Sequence, residues 1–277
     1  MLGTRTIGIV GTGLIGTSIG LAIRQRRVAA RVVGVDVDES AVEAARTRGA
    51  LDKGGTSFDA LREADLVVIA VPPDAVVGAA LKAAEALRPG SVLTDVASTK
   101  VGIVSGMEQR LPRLVRYVGG HPMAGSERSG PQAADAGLLV GRPFIVTPTA
   151  VSDAEAVEMV SMLAKGMGMN PVVLSAQQHD DLVAQVSHVP YLLAIAAVNA
   201  AAEEALQLRG PGFGGLSRLA ASPVELWTQI CAGNAAAIRR AIQRLRVELD
   251  RLDRALEGGQ ELRSMLERAQ RRAEESE

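Results

Sequence analysis

Two segments of this 277-residue chain carry residue types at spacings that could do chemistry. The first is Gly11-Thr12-Gly13-Leu14-Ile15-Gly16. Glycines at these intervals, after a strand and at the start of a helix, let free backbone N–H groups face a pyrophosphate. Gly11 permits the tight turn, Gly13 admits the phosphates and Gly16 allows close helix–strand packing. Leu14 and Ile15 open the helix, and Val71 and Pro72, at the end of a later strand, are assigned to the same cofactor site. Asp36 lies twenty residues beyond Gly16 at the end of the second strand. A carboxylate there bonds ribose hydroxyls and repels a 2′-phosphate, which favours NAD over NADP. FAD and other adenosine ligands share the motif.

A dinucleotide fold names no reaction. The second chemistry-bearing segment is Gly120-His121-Pro122-Met123-Ala124-Gly125, preceded along the chain by Asp95-Val96-Ala97-Ser98-Thr99-Lys100. A histidine-bearing apolar stretch follows, with Arg218 beyond it. A neutral imidazole such as His121 suits proton acceptance near pH 7, and a guanidinium can grip a carboxylate in bidentate fashion. Each residue also has a plainer reading. His121 could be a hydrogen-bonded loop histidine, Ser98 the N-cap of a helix over 100–110, and Arg218 a surface salt-bridge partner. His188 divides between a substrate pocket and a buried polar role. His179 and Asp180 read as structural residues holding a helix N-terminus, Trp227 as packing behind the arginine, and Lys100 as a helix-surface lysine. Cys231 reads as a small buried apolar residue. The three histidines show no ligand spacing with cysteine or carboxylates, so no metal site is expected.

The elements that must position these residues alternate through the first half. Strand candidates at 6–10, 31–36, 66–71, 91–95, 114–118 and 143–147 are interleaved with helical patterns at 14–26, 39–48, 74–87 and 100–110. That alternation predicts βαβ crossovers and a mostly parallel, doubly wound sheet. A helix over 153–166 and an apolar run over 171–174 complete this unit. Beyond Ser175 the pattern is helical, at 176–206, 216–221, 223–232, 235–256 and 259–273, with a glycine-rich loop over 209–215. The predicted organisation is an α/β Rossmann domain over 1–174 and an all-helical domain over 175–277.

Composition narrows the function classes. Apolar residues make up 47% and charged residues 22%, the balance of a folded globular chain. Aromatics are only 2%, so the core must rest on Ala, Val, Leu and Ile. Lys plus Arg (30) nearly cancels Asp plus Glu (31), which leaves no electrostatic footprint for nucleic acid or an anionic membrane. One cysteine excludes an intramolecular disulfide and suits a reducing cytoplasm. Residues 182–202 are charge-free and long enough to span a bilayer. Gln185, Ser187, His188, Pro190 and Asn199 interrupt them, however, and both flanks are acidic, so a buried helix is expected instead.

Taken together, the motifs resemble the prephenate/arogenate dehydrogenase family of tyrosine biosynthesis. The matching segments are 11–16, 95–100, 120–127, His179-Asp180, Ser187-His188-Val189-Pro190 and Ser217-Arg218-Leu219-Ala220 followed by Trp227, in the family's order. The resemblance implies a helical dimerisation domain, a homodimer and NAD-dependent oxidative decarboxylation. Prephenate would lose a hydride from its ring carbinol to NAD and its ring carboxylate as carbon dioxide, giving 4-hydroxyphenylpyruvate. It further implies that His121 hydrogen-bonds the ring hydroxyl and that Ser98 bonds the same hydroxyl and orients His121. Arg218 would grip a substrate carboxylate and Glu127 stand at the mouth of the site, with His188 and Tyr191 lining the substrate pocket. Tyr191 replaces a second histidine found in many prephenate-using members, and Gly215 replaces a usual aspartate. Arogenate and an amino-substituted prephenate are therefore rival substrates. A β-hydroxyacid dehydrogenase would place a catalytic lysine within 176–206, and there is none. An NAD-binding redox sensor or inactive dehydrogenase-like module is the reading from a different class, disfavoured by the joint presence of His121, Ser98 and Arg218.

Overall fold

The computed structural model describes residues 2–275; Met1, Ser276 and Glu277, the outermost residues of the two predicted domains, lie outside it. Eight strands form one sheet in the order 3-2-1-4-5-6-7-8. They are β1 (Thr6–Val10), β2 (Arg31–Val35), β3 (Lys53–Gly55), β4 (Leu66–Ile69), β5 (Val92–Asp95), β6 (Arg116–Pro122), β7 (Pro143–Thr147) and β8 (Asn170–Val173). Every neighbouring pair is parallel except β6 and β7. The crossovers are α1 (Leu14–Gln25), α2 (Glu39–Thr47), α3 (Val76–Ala86) and α4 (Val101–Arg110), and α5 (Ala154–Gly166) joins β7 to β8.

Central strands buried on both faces must be apolar throughout, and β4 shows it. Leu66 and Val68 enter the core cluster on one face of the sheet, and Val67 and Ile69 the cluster on the other. Strand order reverses at β1 and β4, which opens a crevice beyond their carboxyl ends. The carboxyl ends of β5 and β6 lie on the same edge, because all four strands are parallel. β6 runs past its expected end and past β5. Its pairing with β5 stops at Val118, while Gly119 to Pro122 continue against β7 alone. The sheet therefore carries His121 out beside the turn that follows β5.

The remainder is helical. It comprises α6 (Ala176–Val183), a π turn (Ala184–His188), α7 (Val189–Ala200), α8 (Glu203–Leu206), α9 (Pro211–Ala220), α10 (Val224–Gly233), α11 (Ala235–Ala255) and α12 (Gly259–Glu274). The expected single helix over 176–206 is thus interrupted. Pro190 has no N–H to return to the carbonyl four residues back, and the wider π turn lies just before it. The expected loop over 209–215 is also corrected: Pro211 opens α9 with its φ already set for a helix. α9 lies along α7, and that packing offsets the cost of its glycines. A small third core joins Ala184 and Val189 to Ala237, Ile238 and Ala241 of α11.

Candidate active site

The glycine turn sits at the switch point. Gly11 has φ +93°, and a Cβ there would lie 2.4 Å from the Ala70 carbonyl oxygen, so only glycine fits. Val71 abuts it across the crevice, half-buried, and Pro72 follows exposed. Gly13, by contrast, faces open space and N-caps α1 without a side-chain cap. The first N–H groups of α1, at Leu14, Ile15 and Gly16, are therefore available to an anion. Asp36 accepts from Thr12 N at 2.6 Å and Thr12 Oγ1 at 3.1 Å, which pins the turn against the end of β2. An empty-sided glycine cradle with a partly exposed carboxylate at its far end fits a dinucleotide.

Beside it, the turn between β5 and α4 is built on a buried ion pair. Lys100 and Asp95 are both fully buried, with Nζ 2.6 Å from Oδ1. The ammonium also donates to the carbonyls of Ala97 at 2.8 Å and Thr99 at 3.1 Å, so all three protons are used. Asp95 additionally accepts from Ala97 N, Gly120 N and the Tyr117 hydroxyl. Burial and the Asp95 charge push the Tyr117 hydroxyl well above its ordinary pKa. The expected surface lysine is therefore a core lysine, and Ser98 is held between the two carbonyls it grips. A Cβ on Gly120 would lie 2.4 Å from the Asp95 carbonyl oxygen, so glycine lets β6 pass this close to the turn. Ser98 does not cap α4. That helix begins at Val101, and Asp180 of α6 accepts from Lys100 N at 2.8 Å and Val101 N at 2.9 Å.

The three histidines, one on β6 and two on the α6–π turn segment, converge here. His121 Nδ1 lies 2.8 Å from His179 Nε2, and His179 Nδ1 lies 2.7 Å from Asp180 Oδ1. Among the described residues, His121 Nε2 has no hydrogen-bond partner. His179 and Asp180, expected to be merely structural, thus stand directly behind His121. The family motif includes both, but not this role, because the contact joins residues 58 positions apart. His188 is fully buried; its Nδ1 lies 3.3 Å from Asn234 Nδ2. The Ser98 backbone faces its ring, yet among the described residues Nε2 closes no hydrogen bond. Burial pushes His121 well below the usual histidine range, helped by the Lys100 ammonium and by the cost of placing a second cation beside the His179 and His188 rings. Burial likewise lowers His179 against the pull of Asp180, and takes His188 down to about 4. All three are neutral at pH 7.

The helical half supplies the opposite wall. Tyr191 stacks on Trp227 with ring centroids 3.6 Å apart and planes 5° from parallel. Trp227 meets the His188 ring edge-on at 6.1 Å. Trp227 thus packs on Tyr191 and His188, a packing role as expected. Arg218 of α9 pairs with Glu127, on the loop after β6, at 3.5 Å, and both side chains reach solvent. Glu127's own backbone is the largest influence holding its carboxyl below the usual range, with Arg218 adding to it. Gly215, three residues before Arg218, faces open space.

Comparison with known proteins adds the following. Residues 19–173 match a family described as the prephenate dehydrogenase nucleotide-binding domain, and residues 175–268 one described as its dimerization domain. A prephenate dehydrogenase of Bacillus subtilis (strain 168) is 33% identical over 237 residues, 83% of this chain, and the chain spans 64% of that relative's length. The crystal structure of prephenate dehydrogenase from A. aeolicus, in complex with hydroxyphenyl propionate and NAD+, superposes with a TM-score of 0.90 at 27% identity over 99% of each chain. Synechocystis arogenate dehydrogenase superposes with a TM-score of 0.82 at 28% identity, over 98% of this chain and all of its own.

Proposed function

Because the chain belongs to the prephenate dehydrogenase family, we propose that it catalyses the NAD-dependent oxidative decarboxylation of prephenate to 4-hydroxyphenylpyruvate. The observation that carries this reading is a neutral His121 with a free Nε2, on the same sheet edge as the glycine cradle. Gly11, Gly13, Leu14, Ile15 and Gly16 hold the pyrophosphate, Asp36 the adenosine ribose, and Val71 and Pro72 line the crevice. NAD bound there supplies a two-electron acceptor for the ring hydride. His121 takes the ring hydroxyl proton at Nε2 as the carbinol becomes a carbonyl. Ser98, fixed by Lys100, bonds the same hydroxyl. Arg218 receives a substrate carboxylate, Glu127 guards the mouth, and His188 and Tyr191 line the pocket.

Arogenate is the second reading, and Tyr191 favours it. Tyr191 itself offers no cation to a substrate carboxylate, only a hydroxyl that can donate a hydrogen bond. A side-by-side assay of prephenate and arogenate with NAD and NADP decides between them. NADH and carbon dioxide from prephenate are expected; intact NAD binding with no NADH from either substrate would sink the proposal. Replacing Arg218 with alanine should raise KM about 10- to 100-fold, the worth of hydrogen bonds to a charged group. A pure kcat effect would contradict the carboxylate role.

The same reading includes a homodimer. Residues 176–200, α6, the π turn and α7 taken together, make a helical run long and apolar enough to cross a membrane, yet only 33% of its most apolar stretch is buried within one chain. Leu182, Val186 and Leu193 stand exposed along it, a surface that a second copy would cover. A monomer by light scattering at micromolar concentration would refute this. The single cysteine fits a cytoplasmic site of action.

A further inference from the structure

We propose that His179 is a positioning residue which, backed by Asp180, fixes the tautomer of His121 so that Nε2 carries the lone pair. The inference rests on the reading that His121 accepts the substrate hydroxyl proton, and it follows from counting protons along buried contacts. Asp180 accepts a backbone N–H at each oxygen, from Lys100 at Oδ1 and from Val101 at Oδ2. The 2.7 Å contact from His179 Nδ1 to Oδ1 is therefore donated by the ring. A neutral imidazole has one N–H, so His179 Nε2 is left with a lone pair. The 2.8 Å contact between the two rings must then be donated by His121 Nδ1. His121 has spent its only proton, and Nε2 is an acceptor. Which nitrogen of a histidine is basic is set by the bond the other one makes.

The alternative, a charged His179 donating at both nitrogens, would turn His121 around and leave an N–H facing the substrate. Burial works against that charge and lowers the His179 pKa, though Asp180 opposes the effect. The groups facing His121 are His179 from α6, the Lys100 ammonium from the turn before α4 and His188 from the π turn. Asp95 offsets Lys100 at 2.6 Å. When His121 takes the hydroxyl proton at Nε2 it keeps its Nδ1 proton, still donated to His179. The new charge is met by the neutral ring and, through it, by Asp180. No proton needs to leave His179.

The chain has three histidines, so nitrogen NMR of the full-length, histidine-labelled protein can resolve each ring. The expected ligand-free spectrum has His121 protonated at Nδ1 and unprotonated at Nε2, and a proton on Nε2 would overturn the proposal without any variant. His179→Leu, which removes the acceptor, should lower kcat by about 100-fold or more, change KM little, and mix the His121 tautomers. His179→Gln offers an amide oxygen to Nδ1–H and should recover turnover to within about tenfold. An unchanged kcat in His179→Leu, where His121→Asn is itself impaired, would overturn the proposal. If the tautomer is as stated but His121→Asn is fully active, the catalytic reading fails and the positioning role stands.

Discussion

Replacing His121 with asparagine is expected to lower kcat by about 100- to 10,000-fold, the contribution of a positioned general base. Asparagine can hydrogen-bond a hydroxyl but cannot carry its proton away. The side chain belongs to β6 and has no part in the glycine turn, so NAD affinity should stay nearly unchanged. The pH profile sharpens the test. Burial holds the His121 pKa well below its ordinary value, with neighbouring charges adding to the effect. The base therefore stays neutral, and active, as the pH falls through the usual histidine range. Turnover of the parent enzyme should remain flat from about pH 8 to below about 6.5, the unperturbed histidine value. An acid limb centred above that value, or an unchanged rate in the variant, would remove His121 from the reaction.

The second large effect concerns stability. Lys100→Met should cost about 3–5 kcal/mol, because removing one partner of a buried pair strands the other charge. Asp95 would keep the Tyr117 hydroxyl and two backbone N–H groups but lose its cation. Adding Asp95→Asn should return much of the loss, since the stranded charge is then gone. Urea unfolding of the two variants reads both numbers. A cost below about 1 kcal/mol for the single change would mean the pair is as weakly coupled as a surface salt bridge. The lysine also ties down the carbonyls on either side of Ser98, so the single variant should lose turnover as well as stability.

The α/β half was legible because its signals are local. Runs of β-branched residues, glycines at fixed spacing and a carboxylate at the end of β2 are each decided within a few residues of chain. β3 escaped because Lys53-Gly54-Gly55 has no apolar alternation; its strand state comes from pairing with β2. In the helical half, the glycines at 210–215 suggested a loop, and contact with α7 overrode that preference. The site divides in the same way. His121, Ser98 and Arg218 took site roles from their motifs, whereas His179, Asp180 and Lys100, also within matching segments, read as structural or surface residues. Their roles come from burial and from partners that the sheet and α6 bring together, such as Asp180 capping a helix 80 residues earlier.

The π turn at Ala184–His188 bears on how such a scaffold can diverge. His179 and His188 are nine residues apart, which in a regular α-helix would set them about 180° apart around the axis. A π turn holds an extra residue and closes part of that angle, and the two rings do influence each other electrostatically. Deleting a single residue from the turn would restore an unbroken hydrogen-bond ladder at little backbone cost. Because the turn already absorbs that residue, the helix from Val189 onward would keep nearly the same face, and Tyr191 would stay on Trp227. A one-residue insertion or deletion on this helix can thus be taken up within the turn while the pocket wall beyond it keeps its orientation, and gap placement here matters when relatives are aligned.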